Sequence, residues 1–443
     1  MKFIVAFFIF LGVVMAGDIK YLEVKGVKIP VITEMDKNVS FGVIGLHFSG
    51  GGRAYDGNLP ISNASAFLLS RGTKKLGNID FNKALDAKAV ELDVGTGRTT
   101  LVYSLKFLKQ YEDFSINMLG DLLKDPNLSK NALNDTISYM KANLASSKSD
   151  FDYQASQLLN ETAFKGTPLA KDALGNLASI DKLNLKDIKN YLDSNVVLSR
   201  LVITAGGDLD SKTLEHLKKI LEALPVGSTI EIPHYEFTIT DAEKKALKDD
   251  TAIKTFKGVQ QASIAFGAPL VGIDLKKDAY KARVASLILG AGGFGSRILE
   301  TVRVKAGLAY SAYIGFDMGR VLSWAVGGMN TDLGANATKA IDLVKQTVQN
   351  FVDKGVSEQE LDDAKKFLIG SEPLRNETIE QRLSKKYMAY FNGLPLNQNE
   401  LDLEKVKTLT LPEINDFIKK HVELKNLVFA LVTSPETKNA PSK

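Results

Sequence analysis

Cysteine is absent from all 443 residues. That excludes disulfides, thiolate zinc sites, cysteine nucleophiles and lipidated cysteines together. Histidine is nearly as scarce: His47, His216, His234 and His421 are the full set. No two of them share a helical turn, so no paired-histidine metal motif can form. A strong charge of either sign is lacking too. Lys and Arg number 56 against 52 Asp and Glu, a net +4, too small a bias for a nucleic-acid partner. There is no G-x-S-x-G, so a nucleophile elbow is unsupported. Beyond the N-terminus no segment is apolar enough to span a bilayer.

What is present has the usual globular balance, 44% hydrophobic and 24% charged, which excludes disorder as a whole-chain description. The length predicts two to four domains at roughly 100–200 residues each. Met1-Lys2 followed by the apolar run Phe3 to Ala16 has the form of a secretory leader, with Val14 and Ala16 placed for cleavage before Gly17. A signal peptide over 1–16 and a periplasmic location in a Gram-negative cell are the expectations.

The chain contains itself twice. Leu185, Ile188, Tyr191, Leu192, Val196, Leu198, Leu201 and Val202 recur as Leu411, Ile414, Phe417, Ile418, Val422, Leu424, Leu427 and Val428, every pair 226 residues apart. The first four of each set carry helical spacing, and a β-rich run follows. Two related halves are expected, 17–222 and 253–434, with a linker over 223–252 marked by Pro225, Gly227 and Pro233. Residues 435–443 are read as a tail. Strands are expected at 41–48, 101–108, 310–316 and 321–326. Helices are expected at 78–89, 113–123, 338–352 and 358–369. Strands neighbour strands as often as helices, so the fold class is α+β.

Two features mislead. Gly290-Ala-Gly-Gly-Phe-Gly295 matches the dinucleotide pattern, with Asp317 at a suitable distance. The fingerprint needs a strand before it, and Tyr280, Val284, Leu287 and Ile288 carry helical spacing instead. His47, in a strand, and His216, in a charged helix, read as structural or solvated.

Three stretches resemble the M16 metallopeptidase family, in its short two-domain, mitochondrial-processing-peptidase form. Residues 63–73, NASAFLLSRGT, are similar to the family's H-F-L-E-H-M-L-F-K-G-T. Residues 292–311, GGFGSRILETVRVKAGLAYS, resemble its glycine loop followed by R-E-K-x-G-L-A-Y. Residues 355–365, GVSEQELDDAK, match its G-V-x-x-x-E-L-x-x-A-K. The resemblance implies two homologous halves, each an antiparallel sheet with helices on one face, arranged as a clamshell.

It also implies a zinc site built from two histidines, a general-base glutamate and a more distant glutamate. Here Asn63 and Phe67 stand at the histidine positions and Ala66 at the glutamate. Asn143 aligns with the third ligand, inside a stretch without glutamate from 113 to 160. No zinc is therefore expected on this chain. The family's arginine and tyrosine, which reach a zinc site from the second half, are matched by Arg303 and Tyr310 at the same seven-residue spacing. Val304 departs from the family's usual glutamate. Gly292, Gly293 and Gly295 are the implied approach for a substrate backbone. The reading is thus a non-zinc subunit that lends Arg303 and Tyr310 to a separate zinc-bearing M16 subunit, acting on an extended peptide. The alternative is a peptide-binding or scaffold protein on the same fold.

Overall fold

A computed structural model describes residues 19–293 and 295–435. The expected signal run and nearly all of the expected tail lie outside the described residues. The first half begins with β1 (Lys20–Val24), β2 (Val27–Met35) and β3 (Phe41–Ser49). β4 (Glu91–Thr96), β5 (Thr100–Leu108) and β6 (Leu201–Gly207) complete its sheet, in the order β1-β2-β6-β3-β5-β4. The second half supplies β7 (Thr251–Thr255), β8 (Ala262–Pro269), β9 (Ala309–Met318), β10 (Ser323–Thr331) and β11 (Val428–Thr433), in the order β7-β11-β8-β10-β9. Removing β1 makes the two orders equivalent.

The internal repeat is the last crossover of each half. Leu185–Asn195 and Leu411–Lys420 are the paired helices, and each runs on into β6 or β11. Asn184 caps the first by accepting from the Asp187 amide, and Thr410 caps the second in a box with Glu413. The sheets are mostly antiparallel, as expected, with one parallel pair in each half. β2 runs parallel to β6, and β7 parallel to β11. Each late strand returns through helices and inserts beside the half's own early strand, and a long crossover delivers a strand in the parallel sense.

Helices from the same half cover one face of each sheet. The opposite face receives a helix lent by the other half. The Phe151–Ala163 helix belongs by sequence to the first half. Its Ala155, Leu159 and Ala163 pack with Ala265, Trp324, Val428 and Ala430 of the second sheet. The Ile379–Phe391 helix returns the exchange, setting Ile379, Leu383 and Tyr387 against Ile32 and Val43 of the first sheet. Polar contacts hold both. Arg382 and Lys386 pair with Glu34 on β2, and Lys254 on β7 donates to Gln154 at 3.0 Å.

The 223–252 segment is more than a spacer. The Tyr235 amide donates to Val321 O at 2.7 Å, its hydroxyl donates to Ala54 O at 3.0 Å, and the Thr238 amide donates to Ala163 O at 2.7 Å. Tyr235, Phe237 and Ile239 pack beside the Trp324 cluster, and β7 begins within the segment at Thr251. No helix among the described residues is long and apolar enough to cross a membrane.

Candidate functional site

The helix Ile61–Leu69 carries Asn63, Ala66 and Phe67 on successive turns. The Asn63 amide is engaged at both ends. Its Nδ2 donates to Ala173 O at 2.7 Å, and its Oδ1 accepts from Thr96 Oγ1 at 3.0 Å. It therefore ties the helix to the end of β4 and to the 173 loop. Ala66 is buried. Phe67 lies edge-on to Tyr139, ring centres 5.0 Å apart. Tyr139 stands one turn before Asn143 on the helix Lys130–Ser147. Beside this face Ala64, Met140, Leu144, Ile180 and Leu183 form an apolar cluster, with Phe67 packed on it. The side chains at these positions are thus an amide, a methyl and a phenyl, with the Tyr139 phenol against the last and the Asn143 amide one turn along its helix. Their chemistry does not fit zinc, which takes imidazole, thiolate or carboxylate ligands. Among the described residues, no group of three or more His, Cys, Asp or Glu is placed to hold a metal ion.

Arg303 and Tyr310 are brought together elsewhere. Arg303 lies near the end of a helix that starts at Arg297 and widens into π-type turns over Glu300–Lys305. A turn at Gly307, with φ of 64°, reverses the chain into β9. It is closed by the Gly307 and Leu308 amides donating to Arg303 O and Val302 O. Tyr310 is therefore the second residue of an edge strand. Tyr310 is 83% exposed, and the Arg303 guanidinium carbon sits 4.5 Å from its ring centre. A cation over a phenol face is attracted to its quadrupole. Both polar ends thus occupy one spot on the surface of the second half.

Upstream, Gly293 and Gly295 take positive φ, 66° and 88°, which a side chain would disfavour. Gly292 and Gly295 line a cavity of about 270 Å³ with Ser296, Glu360 and Phe367. Arg297 holds the loop in place: its Nε and Nη2 donate to Glu360 at 2.6 and 2.7 Å, and Nη2 also to Gly355 O. Glu360 also closes the capping box with Ser357. Burial raises its pKa, but the bonds from Arg297 and Ser357 outweigh that and hold the carboxyl below its usual range. The second and third family-like stretches are therefore one structural unit. The Arg297–Glu360 pair is the residue pair that motif reading missed, although both members lie within the quoted stretches.

The misleading features are accounted for. A helix, Ala279–Ser286, precedes the Gly290–Gly295 pattern, and no strand does. Asp317 accepts from Arg98 at 3.1 Å and from the Trp324 indole at 3.2 Å, linking the halves. His216 bonds to Asp113 and Asn117. His47 stacks on Tyr387 of the lent helix, ring centres 3.9 Å apart, and meets Thr204 Oγ1 at 3.1 Å. Burial pushes its pKa down to about 4.

Comparison with known proteins agrees with this architecture. The profile of insulinase-type peptidase family M16 matches residues 30–176, and that of the peptidase M16 inactive domain matches residues 182–368. The chain is 43% identical to the "Non-peptidase homolog YmxG" of Helicobacter pylori, over 98% of both chains. It is 21% identical to a probable mitochondrial-processing peptidase subunit beta of Arabidopsis thaliana, over 51% of this chain and 44% of that one. A crystal structure of a peptidase M16 inactive domain from Pseudomonas fluorescens superposes with a TM-score of 0.82 at 19% identity, covering 96% of this chain and all of that one.

Proposed function

The chain belongs to peptidase family M16, and from that premise we propose that it is the metal-free subunit of a two-chain peptidase. Its part is to present Arg303 and Tyr310 to a zinc-bearing M16 subunit. The observation that carries this is the contrast between its two candidate sites. The positions of the zinc motif are taken up in hydrogen bonds of the Asn63 amide and in aromatic packing. The arginine and tyrosine instead stack together at an exposed strand start, where a second chain can reach them. The likeness to a relative named as a processing-peptidase subunit supports pairing with another M16 chain.

The chemistry follows from the side chains. The Tyr310 hydroxyl donates to the oxyanion that develops when a peptide carbonyl is attacked. The Arg303 guanidinium offers several fixed donors to peptide carbonyls on either side. The zinc and the attacking water belong to the partner in this reading, and the substrate is an extended peptide added to a strand edge there. The leader-like run at the N-terminus supports export to the periplasm. The test is co-expression with an M16 chain that carries intact H-x-x-E-H. Peptide hydrolysis should require both chains and fail with either alone.

A second reading is a non-catalytic peptide-binding or scaffold protein. The 43% identity to a relative named as a non-peptidase favours it. Full activity of the zinc-bearing chain alone, unaffected by this one, would select it.

A further inference from the structure

Where the two halves meet, a cavity of about 170 Å³ is walled by Arg53, Arg98, Asn160, Phe164 and Trp324. The two arginines are 45 residues apart in sequence, and backbone pairing sets them side by side. The Arg53 amide donates to Gly97 O at 3.3 Å, the Ala54 amide to Arg98 O at 2.8 Å, and the Gly50 amide to Thr99 O at 2.8 Å. So close an approach requires glycine. A Cβ at Gly52 would lie 2.4 Å from the Thr99 nitrogen.

The two cations are not equally provided for. Arg98 has Asp317 at 3.1 Å. The Arg53 guanidinium forms no hydrogen bond or ion pair with a described residue. Two carboxyl groups stand near it, and both are engaged elsewhere. Asp56 accepts from the Ser62 amide at 3.1 Å and its hydroxyl at 2.7 Å, and burial raises its pKa to about 6. Asp172 accepts from the Tyr153 hydroxyl and from the Leu174 amide at 2.8 Å. The charges of Asp172 and Asp56 offset part of the cost of burying this guanidinium beside Arg98, but neither carboxyl hydrogen-bonds it, so its donors are left for an incoming acceptor.

The opposite wall is apolar. Phe164 and Trp324 meet edge to face, 5.3 Å between centres, and Leu159 and Leu169 fill in behind. Cofactor pockets are larger, about 300–1,000 Å³, so this space suits one side group. Arg53 also lines a wider opening of about 760 Å³.

We infer that this cavity binds a single carboxylate on an apolar stem, either the C-terminal residue of a peptide or an acidic side chain within one. The Arg53 fork takes the carboxylate oxygens, Asn160 and Arg98 flank it, and the stem lies against Phe164 and Trp324. The site belongs to this chain alone and needs no partner subunit, so its test is separate from that of the peptidase reading.

Three fluorescein-labelled hexapeptides are titrated into the isolated chain by anisotropy: one ending in Ala-Leu-Leu as the free acid, its C-terminal amide, and that amide with glutamate as the last residue. At least one carboxylate-bearing peptide should bind about tenfold or more tighter than the plain amide, and which one does so identifies the source. Arg53→Gln should erase the preference, and Arg53→Lys should restore it only in part. Excess inorganic phosphate should not displace the peptide. Equal binding of all three peptides, binding of none, displacement by phosphate, or a preference that survives in folded Arg53→Gln would each overturn the assignment. If Arg53→Gln does not fold, Arg98→Gln replaces it under the same criterion, and the acid-to-amide comparison on the unaltered chain stands without either.

Discussion

Leu159 offers a direct measure of how tightly the halves depend on each other. It lies on the helix that the first half lends to the second sheet and is 1% exposed. Leu159→Ala removes three buried carbons, about 2.4 kcal/mol at ~0.8 kcal/mol per carbon. A cavity term adds to this, because the neighbours Ala155, Ala163, Ala265 and Ala430 are too short to fill the gap. The total should fall at about 3–5 kcal/mol. Trp324, the only tryptophan of the chain, stands in the same cluster. Urea unfolding can therefore be followed locally by fluorescence and globally by far-UV circular dichroism. Both curves should shift together to lower urea. Leu383→Ala, in the reciprocal helix on the first sheet, should also move the Trp324 signal, although Leu383 lies in a different cluster. A fluorescence shift without a matching dichroism shift would show that the halves unfold independently. So would a Leu383→Ala that leaves Trp324 unmoved. Either result would refute the coupling argument.

In the reconstituted pair, Tyr310→Phe should lower kcat by ~10²–10³ with little change in KM, the mark of a donor used in the transition state. Arg303→Ala should raise KM as well, and Arg303→Lys should recover poorly; steady-state kinetics with assembly checked by size exclusion decide both. The triple change Asn63→His, Ala66→Glu, Phe67→His should leave the lone chain inactive, because Asn143 supplies no carboxylate. It should also lower the melting temperature by stripping Asn63 of its two bonds; zinc-dependent hydrolysis by that variant would contradict this. Metal analysis of the purified chain should find well under one zinc per molecule. His47 titrates near 6.5 when unfolded and at about 4 in the fold. The preference for its neutral form is therefore fully present above the higher value and is lost as pH falls through the lower. Stability should decline across that interval, and His47→Gln should flatten the decline, measured as urea midpoints against pH.

Much of the fold was legible in the sequence because the repeated segments combine helical spacing with a following β-rich run. Both signals are local. The destination of a helix is not. The apolar face of residues 151–163 specifies that it packs, and nothing in its spacing says that the sheet it meets lies beyond residue 250. The parallel pairs escaped for the same reason, since strand direction is set by where the chain returns. At the site, the Arg303 to Tyr310 spacing was readable because one turn joins them. Arg53 and Arg98 were invisible, because only the glycine-dependent contact between their backbones brings them together. His47 carried no signal that a tyrosine 340 residues away would stack on it.

The stacking of Arg303 on Tyr310 bears on how a complex would form. A free arginine side chain loses up to ~2 kcal/mol of rotamer entropy when it is fixed. Much of that loss is already incurred here, before any second chain arrives, and the ring contact offsets about 0.5–1 kcal/mol of it. Docking would then order one preset unit in place of two wandering side chains. A substitution that leaves arginine in place but removes the ring, such as Tyr310→Ala, would carry a cost in association rate and affinity beyond the hydroxyl it deletes.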